Sequence, residues 1–217
     1  MNTKVLVIGS GGNGQSYFID FLKKNGIETN CNSDIDGLKH PSHPNKLATN
    51  LNIKKCIFIY NDPLKSILSH FRRGWQEKQM NKLGNPFLLK KDSVADVKKF
   101  LRIVSAKGRD MFGIEYQFNN WINTKTEYPI LFIEFNNVIK ERDTIDAFMG
   151  THLDYSLFTV KERNSEDILE SLKKTNRDLY MSVHKIYSRL FVDIRQKANE
   201  KNQRFQYKSS PIQLDEK

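Results

Sequence analysis

A glycine-rich turn near the N-terminus, set between an apolar run and an amphipathic segment, constrains the fold more than any other feature. Residues 4–8 (KVLVI) are rich in β-branched side chains, which predicts a buried strand. The turn follows at residues 9–14 (GSGGNG). Residues 15–25 then place apolar side chains at helical spacing, and Gly26 is typical of a helix end. The pattern predicts a strand, a tight turn and a helix in immediate succession.

Two further apolar runs alternate with helical patterns along the chain. Residues 55–60 (KCIFIY) and 129–135 (PILFIEF) are predicted strands, and residues 165–203 carry a long helical stripe. Strands that alternate with helices need crossover connections, which favours a parallel sheet covered on both faces. We therefore predict an α/β fold with three layers, a central and mainly parallel sheet, and long C-terminal helices. Residues 1–205 are predicted to form one domain and residues 206–217 a polar tail.

The region between the second and third runs has weaker signals. Residues 76–92 are polar and contain Gly84 and Pro86, which predicts a loop. Ser93 followed by Asp96 resembles a capping box that would begin another helix.

The chain carries an excess of positive charge. Its formal net charge is +10 over 217 residues, with a sequence pI near 9.5. Residues 54–91 concentrate this excess, with nine basic residues against two acidic ones. An excess of basic residues attracts phosphates, whether these belong to a nucleotide, a nucleic acid or an anionic surface. The same excess is also found on ordinary solvent-exposed surfaces.

Cysteine content and hydropathy indicate the cellular compartment in which we expect the protein. Cys31 and Cys56 are the only cysteines of the sequence, so no disulfide framework is predicted. No apolar run approaches the roughly 18 residues that a membrane span needs, and no signal-peptide pattern precedes the first strand. We expect a cytoplasmic protein that uses no membrane.

The glycine turn matches two phosphate-binding patterns. The spacing Gly9-x-Gly11-x-x-Gly14 is that of the dinucleotide fingerprint, but no second strand ending in an acidic residue follows it. The P-loop spacing also fits, with Gln15 in the place of the lysine and Ser16 after it. Four glycines in six residues indicate a loop whose main chain approaches a phosphate closely, so we predict a phosphate site here in either case.

A loop of this kind without its lysine, followed by a strand and an Asp62-Pro63 helix, resembles the sulfotransferase family. The resemblance implies a P-loop-type, sulfotransferase-like fold and 3′-phosphoadenylyl sulfate (PAPS) as co-substrate, with no metal. It implies that the loop holds the 5′-phosphosulfate and that a second motif holds the 3′-phosphate. A late basic segment, residues 158–165, resembles the part of the family that closes the 3′-phosphate pocket.

The implied donor-binding residues come from these three motifs. In the second motif Ser69 stands at the family's serine position and Asn61 at its arginine position. Arg72 and Arg73 are predicted to replace that arginine, because they lie one helical turn after Ser69. The full implied set is Gly11, Gly12, Asn13, Gly14, Gln15, Ser16, Asn61, Ser69, Arg72, Arg73, Lys161 and Arg163.

The resemblance also implies where the catalytic groups stand. Residues 38–44 (LKHPSHP) fall where the family carries its catalytic base, a histidine or glutamate, and where one branch has a Lys-x-His pattern after a leucine. Either His40 or His43 would accept the acceptor's proton, since an imidazole titrates near neutral pH, and we favour His40. Lys39 would stabilise the transferred group.

We therefore expect a sulfotransferase that moves a sulfuryl group from PAPS to a hydroxyl or amine of a small molecule or glycan. Two other functions stay open. A P-loop kinase would use Asp62 near Mg²⁺, and a non-catalytic nucleotide- or nucleic-acid-binding protein would use the basic stretch. Nucleic acid is the less expected partner, because no RNA- or DNA-reading motif is present. The acceptor and the oligomeric state cannot be predicted from these patterns.

Overall fold

Three parallel strands form the centre of the molecule. A computed structural model describes residues 5–48, 51–87, 89, 91–160 and 166–209. The strands are β1 (Val5–Ile8), β2 (Lys55–Tyr60) and β3 (Ile130–Glu134), and they pair in the order β1-β2-β3. An isolated bridge between Val5 and Thr29 continues the sheet beyond β1. The predicted parallel sheet is confirmed.

Helices make up most of the remaining structure. They are α1 (Gln15–Lys24), α2 (Pro63–Arg72), α3 (Gln76–Lys82), α4 (Lys91–Val94), α5 (Val97–Lys107), α6 (Ile114–Asn123), α7 (Arg142–Met149), α8 (Glu166–Thr175) and α9 (Arg177–Ser209). Single 3₁₀ turns lie at Pro44–Lys46, Phe135–Asn137 and Tyr155–Leu157. The predicted long C-terminal helix is confirmed in α9. Within the described ranges, no helix combines the length and apolar character needed to cross a membrane.

The sheet is buried on both faces because its strands are apolar at successive positions. Side chains of alternate residues point to opposite faces, so each strand contributes to two cores. One core joins Leu6, Phe58 and Phe132 to α2, α5, α6 and α9. The other joins Val7, Ile57 and Leu131 to α1 and α7. Helices therefore cover the sheet from both sides.

Three details of the predicted helices need correction. Residues 76–92 are not a loop throughout, because α3 and the start of α4 lie at the two ends of this stretch. Asp96 caps α5 by accepting a hydrogen bond from the Lys99 amide at 2.8 Å, whereas Ser93 lies inside α4. The helical stripe predicted over residues 165–203 is divided at Asn176, whose side chain accepts from the Leu179 amide.

Asparagine side chains occupy the outer edge of the sheet on both sides. The Asn30 amide accepts a hydrogen bond from the Val7 N–H at 2.9 Å and donates to the Val7 carbonyl at 3.0 Å. On β3, Asn202 accepts from the Phe132 N–H at 3.1 Å and donates to its carbonyl at 2.7 Å. Each amide thus reproduces the pair of bonds that a further strand would make.

We expect Asn202→Ala to lower the free energy of unfolding by about 2 kcal/mol, because it removes the partners of a buried strand's N–H and carbonyl. Gln196→Ala is the matched control on the same helix, since its side chain is exposed and, within the described residues, hydrogen-bonds to Glu200. That control should change stability by less than about 0.5 kcal/mol. Urea unfolding measures both, and equal losses would contradict the assigned role of Asn202.

Candidate anion-binding site

The glycine loop presents a run of unpaired backbone N–H groups. Gly11, Gly12 and Gly14 adopt left-handed conformations, with φ values of 77°, 68° and 91°. Gly14 is the N-cap of α1, and no side chain caps that helix. Within the described residues, the backbone N–H groups from Gly11 to Ser16 donate no hydrogen bond. Such a turn at a helix N-terminus is suited to bind an anion.

The loop lies directly over the carboxyl end of β2. A Cβ atom at Gly9 would stand 2.2 Å from the Ile59 carbonyl oxygen, so no other residue fits there without displacing the backbone. The buried Asn13 side chain donates to the same carbonyl at 2.6 Å. The Asn13 side chain therefore anchors the loop to the sheet, which leaves its main chain as the part available to a ligand.

A second segment, residues 39–40, lies against the first turn of the loop. The Gly9 amide and the Gln15 side chain both donate to the Lys39 carbonyl, at 3.3 Å and 2.9 Å. His40 Nδ1 lies 2.8 Å from the Gly9 carbonyl oxygen. Because a carbonyl only accepts, Nδ1 carries the proton in the neutral imidazole and Nε2 is the basic nitrogen. Gln15 thus binds the neighbouring segment with its side chain, away from the loop's mouth.

The Lys39 ammonium is buried at the beginning of α1. Its Nζ donates to Ser16 Oγ at 2.8 Å and to the Asn32 carbonyl at 2.7 Å, and the residue is 7% exposed. Within the described residues it makes no ion pair with a carboxylate. The nearby Asp34 is bound by Lys82 and by the Lys39 main-chain N–H. A buried ammonium without a paired carboxylate is costly, and an anion beside it would offset that cost.

Helix α2 supplies the other side of the site. A Cβ atom at Gly12 would stand 2.7 Å from the Ser66 carbonyl oxygen, and one at Gly11 would stand 3.0 Å from His70 Nε2. From α3, Gln79 donates to the Ser10 carbonyl at 2.7 Å. These contacts cover the loop on the side of Gly11, whereas Gly12 is exposed to solvent.

Five basic side chains lie at the loop or act electrostatically on those that do, and we call them the basic cluster: Lys39, His40, His70, Arg73 and Lys82. Burial is the largest cause that lowers the pKa of His40 to about 4, and Lys39 and Lys82 act in the same direction. Burial, then Arg73 and His40, lower the pKa of His70 to about 3. The pKa of Lys39 is lowered by burial, while Asp34 partly opposes this. Both imidazoles are therefore neutral near pH 7, and the cluster favours a negative ligand.

Neither a protein-family model nor a curated protein matches the sequence. The site itself must therefore carry the functional assignment.

The second predicted motif is only partly brought to the loop. Arg73 lies within reach of the buried Ser69, because its Nε donates to the Ser69 carbonyl at 2.9 Å, and its guanidinium stacks over Trp75 at 4.8 Å. Arg72 is exposed on the helix surface. Asn61 pairs with Asn136 of the neighbouring strand end at 3.3–3.4 Å. The predicted Lys161 and Arg163 lie outside the described residues.

The alternative catalytic candidates have structural contacts. His43 accepts from the Asn45 amide at 3.0 Å and lies 3.2 Å from the Thr124 hydroxyl, so both of its ring nitrogens hold local structure. Asp62 Oδ1 caps α2 by accepting from the Leu64 and Lys65 amides. Of the two histidines considered, His40 is the one that contacts the loop.

Sequence reasoning missed His70, Gln79 and Lys82. His70 directly follows Ser69, and a helical projection of α2 places Ser66, His70 and Arg73 on one stripe, which was an available signal. The other two residues lie on α3, which was predicted as loop. Their approach to the glycine loop depends on the packing of α3 and carries no local signature.

We expect the protein to lose stability as the pH falls from about 6.5 towards 4. The unfolded chain binds protons on His40 and His70 in this range while the folded state excludes them, so each imidazole lowers the unfolding free energy by up to about 1.4 kcal/mol per pH unit. Urea unfolding at several pH values measures the slope. His70→Gln and His40→Gln should each flatten it, whereas the control His184→Gln, at an exposed position that pairs with no carboxylate among the described residues, should leave it unchanged. An unaltered slope in both cluster variants would contradict this account.

Proposed function

We propose that this chain is a PAPS-dependent sulfotransferase whose glycine loop binds the donor's phosphosulfate without a metal. The observation that carries the proposal is the buried Lys39 ammonium, which is hydrogen-bonded to Ser16 and has no ion-paired carboxylate among the described residues. The unpaired amides of the loop surround the same helix N-terminus. An anionic group at this point would be matched by a full charge and by several N–H donors.

The topology supports a ligand at this place. The segment around Thr29 pairs with β1 on one side, and β2 pairs with β1 on the other side. The order in which the strands are added to the sheet therefore reverses between β1 and β2. Ligands of open α/β sheets bind in the crevice at such a switch point. The glycine loop follows β1 and Asn61 follows β2, so two of the predicted motifs flank the crevice.

The chemistry requires a charge partner and a base. In sulfuryl transfer, an acceptor oxygen bonds to sulfur while the bond from sulfur to the bridging phosphate oxygen breaks. Lys39 and the loop amides would stabilise the charge that develops on that bridging oxygen. His40 Nε2 would take the acceptor's proton, because Nδ1 is held by the Gly9 carbonyl. With a pKa of about 4, His40 is available as a base over the whole neutral range.

The other two functions have less support. A kinase would need Asp62 at Mg²⁺, but its Oδ1 is taken by the amides of α2. A nucleic-acid-binding surface would need the basic stretch to form one patch. Lys55 lies at the beginning of β2 and its Nζ binds the Met149 carbonyl, while Arg73 and Lys82 lie beyond the other end of that strand. Lys55 therefore lies at the opposite end of the sheet from Arg73 and Lys82.

We expect adenosine 3′,5′-bisphosphate to bind in the absence of Mg²⁺ and to raise the melting temperature. Lys39→Met should weaken the binding at least tenfold, because it removes a charged donor from a buried site. The same variant should be at least as stable as the wild type without ligand, since it removes a buried unpaired charge. Lys78→Met is the control, because that lysine is exposed on α3.

Calorimetric titration gives the dissociation constants and thermal unfolding gives the stabilities. Binding that requires Mg²⁺ and ATP would favour the kinase. Stabilisation by NAD alone would favour a dinucleotide site. Steeply salt-dependent binding to a polynucleotide would favour the third function. Equal affinity in the wild type and Lys39→Met would contradict the placement of the donor at Ser16.

A further inference from the structure

His70 is an almost completely enclosed imidazole that lies behind the glycine loop. It is 2% exposed and its ring stacks on Phe112, with ring centroids 5.6 Å apart and an interplanar angle of 22°. Its Nε2 lies close to Gly11 and Gly12, at 3.0 Å and 3.3 Å from where their Cβ atoms would be. Phe112 fixes the ring plane, so Nε2 is aimed at the turn.

The neighbours of His70 determine which nitrogen carries its proton. Arg73 Nη2 lies 3.4 Å from His70 Nδ1. A guanidinium can only donate, so Nδ1 is the acceptor and the proton of the neutral ring is on Nε2. Nε2 has no hydrogen-bond partner within the described part of the chain. A buried N–H donor without a well-placed acceptor costs about 1–3 kcal/mol, so an acceptor oxygen beside Nε2 would offset that cost.

We propose that His70 Nε2–H is a direct donor to an anionic phosphate or sulfate oxygen bound at the glycine loop. The identity of the nucleotide rests on the proposed function. The hydrogen bond from His70 is argued only from the position of its ring beside the glycine loop. Gly12 is exposed to solvent, and a ligand oxygen would reach Nε2 only where the Gly11–Gly12 turn moves aside.

The charges around His70 favour an anionic oxygen over a neutral acceptor. Arg73 on α2, His40 and Lys39 on the neighbouring segment, and Lys82 on α3 all belong to the basic cluster, and Asp34 is the acidic group of this neighbourhood. Burial, then Arg73 and His40, lower the pKa of His70 and keep it neutral, while the backbone of Gly11 and Ser10 acts in the opposite direction. A neutral imidazole with its proton on Nε2 remains a donor throughout the neutral pH range.

Two substitutions separate the roles of the two ring nitrogens. The amide nitrogen of glutamine reaches the position of Nε2, so His70→Gln retains a donor towards the loop. The amide of asparagine reaches only the position of Nδ1, so His70→Asn retains the contact to Arg73 and loses the donor. Both variants remove the ring from Phe112, so a purely structural role predicts similar effects of the two.

The test is calorimetric titration of the wild type, H70Q and H70N with inorganic pyrophosphate and with adenosine 3′,5′-bisphosphate, together with thermal unfolding of each protein. We expect H70Q to bind within about threefold of the wild type and H70N to bind at least tenfold more weakly, as the loss of one charge-assisted hydrogen bond predicts. We also expect the ¹⁵N resonance of His70 Nε2 in the wild type to shift when pyrophosphate is added.

Each outcome decides the inference. Similar affinities of H70Q and H70N, or an Nε2 resonance that does not move on binding, would overturn it. Binding of pyrophosphate without preference for the nucleotide would overturn the proposed donor while leaving the role of His70 supported. A wild-type protein that binds neither probe would overturn both.

Discussion

The site depends on the contact between the glycine loop and the last residues of β2. Gly9 approaches the Ile59 carbonyl so closely that only a hydrogen atom fits, and the Asn13 amide bonds to the same oxygen. This fixes the loop relative to β2 and therefore relative to α2, which begins three residues after β2 ends. The Lys39 carbonyl, bound by Gly9 and Gln15, attaches the third segment. Three regions distant in sequence thus meet at one sheet edge.

The electrostatic arrangement at this edge is unfavourable without a ligand. Lys39 is buried beside other cations, while Asp34 is already bound by Lys82 and by a main-chain amide. The pKa values of His40 and His70 are lowered, so both imidazoles are neutral at neutral pH and add no positive charge to the site. Burying an ammonium without a carboxylate partner lowers the stability of the folded protein. Such locally unfavourable arrangements are typical of functional sites, because substitutions that relieve them elsewhere are readily accepted. The same reasoning explains why the loop amides are left open instead of being capped.

Local signals were sufficient for part of the fold and of the site. The strands, the loop with α1, and the start of α2 at Pro63 have short-range patterns that the structure reproduces. Helix α3 was missed because Met80 is almost its only apolar residue, so its buried side has no periodic stripe to detect. The role of Ser93 was assigned wrongly because Asp96, three residues later, is an equally good cap. The approach of His70 and Gln79 to the loop arises from packing between helices, which no spacing rule expresses.

The asparagines at Val7 and Phe132 have a consequence for how this protein meets other molecules. Within the described residues the sheet has three strands, and each of its two outer strands is a border at which an extended peptide or another copy could be added. Here Asn30 and Asn202 already use the donor and acceptor at one position on each border. Strand addition would first have to displace one of them and leave its amide unsatisfied. Recognition through the helical surfaces or through the site above the sheet avoids that penalty, and the same protection works against growth into fibrils.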